Sequence, residues 1–115
     1  MTNTIAIAKM LWALSQIESG GNDFAHGRHG ELGRFQPLKI TWCEATNAPF
    51  SQATNPATAS AVVLMVVAAR TGQNAANVTP ERFALAWHAP AKIRGGKPTA
   101  EQRDYVARFV NLVNK

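Results

Sequence analysis

The chain is poor in cysteine and in long apolar runs. Among its 115 residues there is one cysteine, Cys43, which excludes an internal disulfide framework and a metal site built from cysteines alone. We expect Cys43 to be a small buried apolar residue. The longest apolar run, residues 61–69, has nine residues, whereas a membrane-spanning helix needs about 20. The sequence therefore predicts no membrane span.

Acidic residues are also few. Seven Asp and Glu stand against twelve Lys and Arg, so the net charge is +5. Such a balance favours an anionic partner, which could be nucleic acid, acidic lipid or an anionic cell-wall polymer. Hydrophobic residues make up 46% of the chain, enough for a packed core, and the length fits one domain over residues 1–115.

The amino-terminal segment shows no secretory signal. Residues 1–15 contain one basic residue, Lys9, which lies in the middle of the segment and not before an apolar stretch. The sequence predicts either a chain that is not exported by that route or a mature form.

Apolar spacing and capping residues predict helices throughout the chain. Residues 5–17 and 38–45 show helical spacing. The pair Asn55-Pro56 resembles a helix start, so we predict a buried central helix that runs to Arg70, although the valines within it also suit a strand. Two more helices are predicted after Thr79 and after Thr99, the second with a capping box.

Glycine is concentrated in one segment. Five of the eight glycines fall within residues 20–35, named here the glycine-rich loop. Glycine permits sharp backbone turns, so this segment is predicted to be a loop or a small hairpin between the first helices. The predicted fold class is mostly α. The five glycines are Gly20, Gly21, Gly27, Gly30 and Gly33.

Glu18 is the first candidate for chemistry. Positions 7, 11, 14 and 18 fall on one helical face, so Glu18 extends an apolar stripe, and it also lies in the last helical turn. Both features disfavour the charged form and raise the pKa of the carboxyl group, as a general acid requires. The alternative is an ordinary glutamate whose carboxylate reaches water at a helix end.

Four short blocks resemble the soluble lytic transglycosylases of the lysozyme-like family. Their order along the chain is that of the family, and Gln36 follows Glu18 by 18 residues, the spacing expected from the family pattern. The blocks are Ile17-Glu18-Ser19-Gly20-Gly21-Asn22, Gly30-Glu31-Leu32-Gly33-Arg34-Phe35-Gln36, Ala86-Trp87-His88 and Tyr105-Val106.

The resemblance implies a lysozyme-like helical domain that cleaves the β-1,4 bond between N-acetylmuramic acid and N-acetylglucosamine in peptidoglycan. Glu18 would protonate the glycosidic oxygen and, in a transglycosylase, then act as base while an anhydro-sugar forms. Ser19 would orient Glu18 or the substrate, Gln36 would bind an N-acetyl sugar, and Tyr105 would lie near the catalytic carboxyl. One carboxyl group backed by a glycine-rich loop needs no cofactor and no metal. We expect a monomer whose partner is the peptidoglycan glycan strand and not nucleic acid.

The third block departs from the family pattern. Trp87 stands where a tyrosine is usual and His88 where an asparagine is usual. Trp87 can still stack on a sugar ring, whereas His88 could bind substrate, lower activity or be a plain helix-end histidine. Both positions are kept as candidate substrate-binding residues.

A second carboxylate is left open. Glycosidases usually use two, and the candidates here are Glu31 and Asp23, both in the glycine-rich loop. Glu31 could activate water and make the enzyme a true lysozyme, or be a solvated loop residue. Asp23 could be a turn residue. His26 and His29, with Glu31 nearby, could suggest a metal site, but solvated loop histidines are favoured because no third histidine lies at a useful spacing.

Three functions remain in competition. The first is a peptidoglycan-cleaving glycosidase that acts on the cell wall, by hydrolysis or by anhydro-forming transfer, in a phage lysin, a secreted effector or a trimmed chain. The second is a non-catalytic glycan-binding module of the same fold, suggested by Trp87 and His88. The third, a nucleic-acid binder, ranks last because the basic residues are scattered. Five of them could line a cleft or remain solvated: Arg28, Arg34, Lys92, Arg94 and Lys97.

Overall fold

Helices form most of the molecule. The computed structural model describes residues 3–115, with side chains from Ala6 onward, so the first two residues of the segment inspected for a secretory signal lie outside the described residues. The mostly α prediction is confirmed. The helices within this range are α1 (Asn3–Ser19), α2 (Lys39–Ala45), α3 (Pro56–Thr71), α4 (Pro80–His88) and α5 (Ala100–Val113), and 3-10 turns cover Phe50–Thr54, Ala75–Asn77 and Pro90–Ile93.

Capping side chains fix where the last three helices begin. The Asn55 side chain accepts hydrogen bonds from the backbone N–H groups of Ala57 and Thr58 at the start of α3. At the start of α5, Thr99 and Gln102 bond reciprocally, which is the predicted capping box. A cap satisfies backbone donors that the first helical turn leaves free, so these residues set the helix boundaries directly.

Helix α3 is less buried than predicted. One face packs into the core through Ala59, Val62, Val63, Val66 and Val67. The opposite row, at positions 57, 61, 65 and 69, is exposed, and Met65 keeps 44% of its surface. The prediction of a buried central helix was wrong on this face. The exposed row consists of three alanines and Met65, and a small apolar row of this kind can remain in contact with solvent.

The core brings the end of α1 beside α5. Helix α5 packs against both α1 and α4, and α4 also packs against α3. Phe83 of α4 and Phe109 of α5 stack with ring centroids 5.7 Å apart, and Leu14 of α1 is fully buried. Because Leu14 lies one turn before Glu18, burying it draws the carboxyl end of α1 into the space between α4 and α5.

The glycine-rich loop is a small hairpin held by one antiparallel bridge, between His26 and Leu32. At its far end Gly33 adopts a φ of +88° and lies so close to the carbonyl of Ala53 that a Cβ atom would overlap it. Gly33 therefore permits the loop to pack against the 3-10 turn that precedes α3.

Cys43 is exposed, so the expectation that it is buried was wrong. Helix α2 buries Trp42, whose indole N–H donates to the carbonyl of Ala48 at 2.8 Å. The next residue in a helix is rotated by about 100°, which turns Cys43 towards solvent.

None of the helices within residues 3–115 combines the length and the apolar character that a membrane crossing requires.

Candidate active site

One cleft collects residues from three of the four sequence blocks. Glu18 ends α1, Gln36 follows the glycine-rich loop, and Trp87 and His88 end α4, yet all four line this cleft of about 170 Å³. Enclosed ligand pockets usually measure about 300–1,000 Å³, so this open cleft suits one portion of a long substrate better than a whole small molecule. Its remaining lining comes from Glu31, Pro37, Leu38, Thr41 and Arg70.

Glu18 is a half-buried carboxyl group that has one side-chain donor among the residues the structure describes. The phenol of Tyr105 donates to Glu18 Oε2 at 2.6 Å across 87 positions of sequence. Burial raises the pKa of Glu18, the Tyr105 hydrogen bond lowers it, the charge of Glu31 raises it and the charge of Arg108 lowers it, with a net rise. The pKa direction predicted from the sequence is therefore the one found, and the dominant cause is desolvation.

Tyr105 remains a proton donor because its own ionisation is suppressed. Its pKa is well above the ordinary range, first because the ring is buried and then because the phenolate would face the Glu18 charge. His88 stacks on the Tyr105 ring with centroids 3.9 Å apart and planes 5° apart. Desolvation lowers the pKa of His88, which favours the neutral imidazole at the edge of the cleft.

Ser19 connects α1 to the glycine-rich loop. Its hydroxyl donates to the carbonyl of Arg34 at 2.7 Å and accepts from the N–H of Asn22 at 3.0 Å. Ser19 does not belong to the lining of the cleft described above. In this structure its hydroxyl fixes the backbone that follows Glu18, and substrate contact by Ser19 stays a prediction.

Gln36 is held in a strained conformation. Its φ of +54° is the one positive value outside glycine in the described chain. The side-chain Nε2 donates to the carbonyls of Ala25 at 3.1 Å and Gly33 at 2.8 Å. These two bonds use both amide hydrogens and leave the Oε1 atom to accept from a ligand, such as an acetamide N–H. Such strain costs about 1–3 kcal/mol and tends to occur at functional positions.

Trp87 joins α4 to the loop. Its indole N–H donates to the carbonyl of Phe35 at 3.2 Å, so this donor is already used within the protein. Its half-buried ring lines the cleft, where an aromatic face can stack on a sugar.

The two candidate second carboxylates have different positions. Asp23 forms a bidentate pair with Arg34, at 2.6 Å from Nε and 3.2 Å from Nη2, and it is not part of the cleft lining. Glu31 lines the cleft, and its Oε1 accepts the N–H of His29 at 2.7 Å. Hydrogen bonds from its own backbone N–H and from that of His29 lower the pKa of Glu31.

A cation that the sequence did not single out lies at the cleft. Arg70, near the end of α3, donates to the carbonyl of Ala86 at 3.0 Å and lies 3.6 Å from Glu44. Of the five predicted cleft cations, Arg94 lines an adjoining pocket with Arg70, and Arg34 is paired with Asp23. The only sequence signal for Arg70 was its place in the last turn of a predicted helix. Arg28, Lys92 and Lys97 are not part of the cleft lining.

A metal centre has no candidate ligand set in residues 3–115. No group of three His, Cys, Asp or Glu side chains in that range is arranged to hold an ion. His26 and His29 lie on the hairpin and are exposed.

No protein-family model, curated protein or solved structure matches this chain. The site offers a carboxyl group with a raised pKa, a second carboxylate with a lowered one, an amide oxygen and an aromatic face. The carboxyl group with the raised pKa can protonate a leaving oxygen, and the second carboxylate can stabilise positive charge on a reacting carbon. The amide oxygen and the aromatic face can hold a sugar ring. That set of capabilities matches the needs of glycosidic bond cleavage.

Proposed function

We propose that this protein is a peptidoglycan-cleaving muramidase with Glu18 as its general acid. Its substrate is the β-1,4 bond between N-acetylmuramic acid and N-acetylglucosamine. The observation that carries the proposal is the 2.6 Å hydrogen bond from Tyr105 to Glu18, in a cleft that Gln36 and Trp87 also line. Residues from blocks up to 87 positions apart lie together at one site, which supports a shared function for them.

Glu18 performs the first chemical step. Its raised pKa keeps a proton on the carboxyl group at a pH where an exposed glutamate has lost it. As the bond between the anomeric carbon and the leaving oxygen breaks, Glu18 gives that proton to the oxygen. General acid catalysis of this kind contributes about 10²–10⁴-fold to the rate.

Other residues of the cleft hold the glycan. The Oε1 of Gln36, which accepts no hydrogen bond from the described part of the chain, accepts an acetamide N–H, and the Trp87 ring stacks on a sugar face. Arg70 and the net charge of +5 favour an anionic wall polymer over neutral glycans such as chitin.

The test is release of soluble fragments from purified peptidoglycan by the wild type and by Glu18→Gln. Glutamine keeps an oxygen that accepts the Tyr105 hydroxyl, so we expect the melting temperature to change by only a few degrees. The rate of release should fall by roughly 10²–10⁴-fold. Glu81→Gln is the matched control, because Glu81 is an exposed carboxylate in the first turn of α4 that does not line the cleft.

Each outcome decides between the candidates. Full activity in Glu18→Gln would refute the assignment of the acid. Binding of the wild type to peptidoglycan without fragment release would support the non-catalytic glycan-binding module instead. Salt-sensitive binding to duplex DNA without binding to peptidoglycan would support the nucleic-acid alternative.

A further inference from the structure

We propose that Glu31 is a second catalytic carboxylate, the base that activates water, and that the enzyme hydrolyses the glycosidic bond instead of transferring it to the muramic 6-hydroxyl. The inference rests on the proposed muramidase function and adds a reaction type to it. It also separates this chain from the transglycosylases that its blocks resemble, for which one carboxyl group serves as acid and then as base.

Glu31 shares the cleft with Glu18 but not its hydrogen bonds. Glu18 comes from the end of α1 and is bonded to Tyr105 of α5. Glu31 comes from the hairpin and is bonded to the N–H of His29. Each carboxyl group therefore has its own hydrogen-bond donor, while both groups line the same cleft.

The loop contains a space that the Glu31 carboxylate occupies. A Cβ atom on Gly27 would lie 2.5 Å from Glu31 Oε1 and 2.7 Å from Gln36 Oε1. Any residue other than glycine at position 27 would therefore displace the second carboxylate, the substrate-binding amide or both. The Glu31 carboxylate therefore lies close to the Gln36 amide oxygen while it remains largely open to solvent, as a base that takes a proton from water requires.

The charges around the two carboxyl groups assign different roles to them. Two backbone N–H groups hold the Glu31 carboxylate in its charged form, and that charge in turn raises the pKa of Glu18. Other titratable or charged groups near the pair are Arg108 and Tyr105 of α5, His88 of α4, Arg70 of α3 and His29 of the loop. Carboxyl groups whose surroundings drive their pKa values apart form an acid and base pair.

The other loop carboxylate cannot take this role in the same structure. Asp23 has both oxygens on Arg34 and lies outside the cleft lining. Glu31 accepts from the N–H of His29 on Oε1 and from its own backbone N–H, and a carboxylate with about four acceptor positions can still accept a proton from water on Oε2.

The step consumes one water molecule. Glu31 Oε2 takes a proton from water while the water oxygen bonds to the anomeric carbon. The bond from that carbon to the leaving oxygen breaks, and Glu18 gives its proton to the leaving oxygen. Glu18 ends as a carboxylate and Glu31 as an acid, and exchange with solvent restores both. Transfer to the 6-hydroxyl consumes no water and gives an anhydro-sugar.

The experiment is digestion of purified peptidoglycan in water enriched in ¹⁸O, followed by mass spectrometry of the fragments. We expect wild-type fragments to carry one ¹⁸O atom at the new reducing end. Glu31→Gln should lower the rate of ¹⁸O incorporation by roughly 10²–10⁴-fold while it still folds, because the amide oxygen can accept the His29 N–H. Glu31→Asp, which keeps the charge, should retain more of the rate than Glu31→Gln.

The same digests separate the two proposals. Anhydro fragments, each one water lighter and free of ¹⁸O, would overturn the role of Glu31 and leave the muramidase proposal intact. Wild-type hydrolysis rates in Glu31→Gln would also overturn it. Failure of the wild type to release any fragment would overturn both proposals. Glu81→Gln is again the control and should incorporate ¹⁸O at the wild-type rate.

Discussion

Glu18 and Glu31 face the same cleft from two regions with different internal forces. Glu18 belongs to the packed helices α1 to α5, named here the helical frame, where apolar burial dominates. Leu14, one turn before Glu18, is fully buried. Glu31 belongs to the glycine-rich loop, where hydrogen bonds to the backbone and close glycine contacts dominate. Burial therefore raises one carboxyl pKa while backbone donors lower the other.

The comparison shows why one short chain can hold two unlike carboxyl groups. A carboxyl group beside a packed core loses hydration, which raises its pKa, whereas one that accepts from turn N–H groups has its charged form stabilised, which lowers its pKa. The frame and the loop meet through Trp87, whose indole N–H bonds the carbonyl of Phe35, and through Ser19, whose hydroxyl bonds the carbonyl of Arg34.

The largest expected loss of stability comes from a substitution that disrupts the packing of the glycine-rich loop against the helical frame. Gly33→Ala adds a Cβ atom that overlaps the Ala53 carbonyl, at a φ of +88° that alanine disfavours. We expect a loss of about 2–4 kcal/mol in the free energy of unfolding, or on the order of 10 °C in melting temperature. Fragment release should fall as well, because Gln36 bonds the carbonyl of Gly33.

Gly30→Ala is the matched control for that variant. Its φ is +86°, but nothing lies within 4 Å of the added Cβ atom. Only the backbone cost of about 1–2 kcal/mol should appear. Equal losses in the two variants, measured by urea unfolding, would show that the contact with Ala53 is unimportant.

The next largest effect is a change in the pKa of Glu18, the proposed general acid. Tyr105→Phe removes the hydrogen bond that lowers the pKa of Glu18, so that pKa should rise further. Since loss of the acid's proton ends activity at high pH, the alkaline limb of kcat/KM should move to higher pH. Unfolding should become easier by about 1 kcal/mol. A limb that stays in place or moves to lower pH would contradict the role given to Tyr105.

The helices of the frame could largely be predicted, because their positions depend on capping residues and apolar spacing within short stretches of sequence. Asn55 and Thr99 cap the helices that the sequence predicts, since a cap needs only residues two or three positions away. The 3-10 turns at Phe50–Thr54 and Ala75–Asn77 were missed, because such short turns carry no periodic pattern. The exposure of Cys43 was also missed, since it depends on which face of α2 packs.

The site was less predictable from local patterns. Helical spacing indicated that Glu18 is partly buried, but Tyr105 was linked to it only through the family resemblance, because 87 residues separate them. The pair formed by Asp23 and Arg34 and the space that Gly27 leaves for Glu31 depend on the shape of the loop. No spacing rule covers such contacts.

A substitution with a smaller effect, at the cap of α3, should lower the stability of the helical frame without changing activity. Asn55→Ala removes the side chain that accepts from Ala57 and Thr58 and should cost about 1 kcal/mol in the free energy of unfolding. Asn55→Ser keeps a capping oxygen and should cost less. Fragment release at 25 °C should be unchanged in both, because Asn55 is exposed and does not line the cleft. A loss of activity would show that α3 positions the site more directly.

The smallest effect is the opposite pH dependence that Glu18 and Glu31 give to the free energy of unfolding. The pKa of Glu18 is raised by folding, so the free energy of unfolding falls as the pH rises above the ordinary value of 4.5, and Glu18→Gln should escape this fall. The pKa of Glu31 is lowered by folding, so its contribution is present above that value and is lost on acidification.

Urea unfolding at several pH values measures this difference. Relative to the wild type, Glu18→Gln should gain stability as the pH rises from about 4 to about 7, roughly the range in which a glutamate with a raised pKa loses its proton. Glu31→Gln should lose stability over the same span. The same sign in both variants would contradict the division between frame and loop.

The most direct measurement is a carbon-13 NMR titration of the glutamate carboxyl groups, with each signal assigned by its loss in Glu18→Gln or Glu31→Gln. The account predicts that Glu18 titrates above the ordinary glutamate value and Glu31 below it, within the same folded protein. Titration of Glu18 at or below the ordinary value would contradict the claim that this cleft holds a general acid.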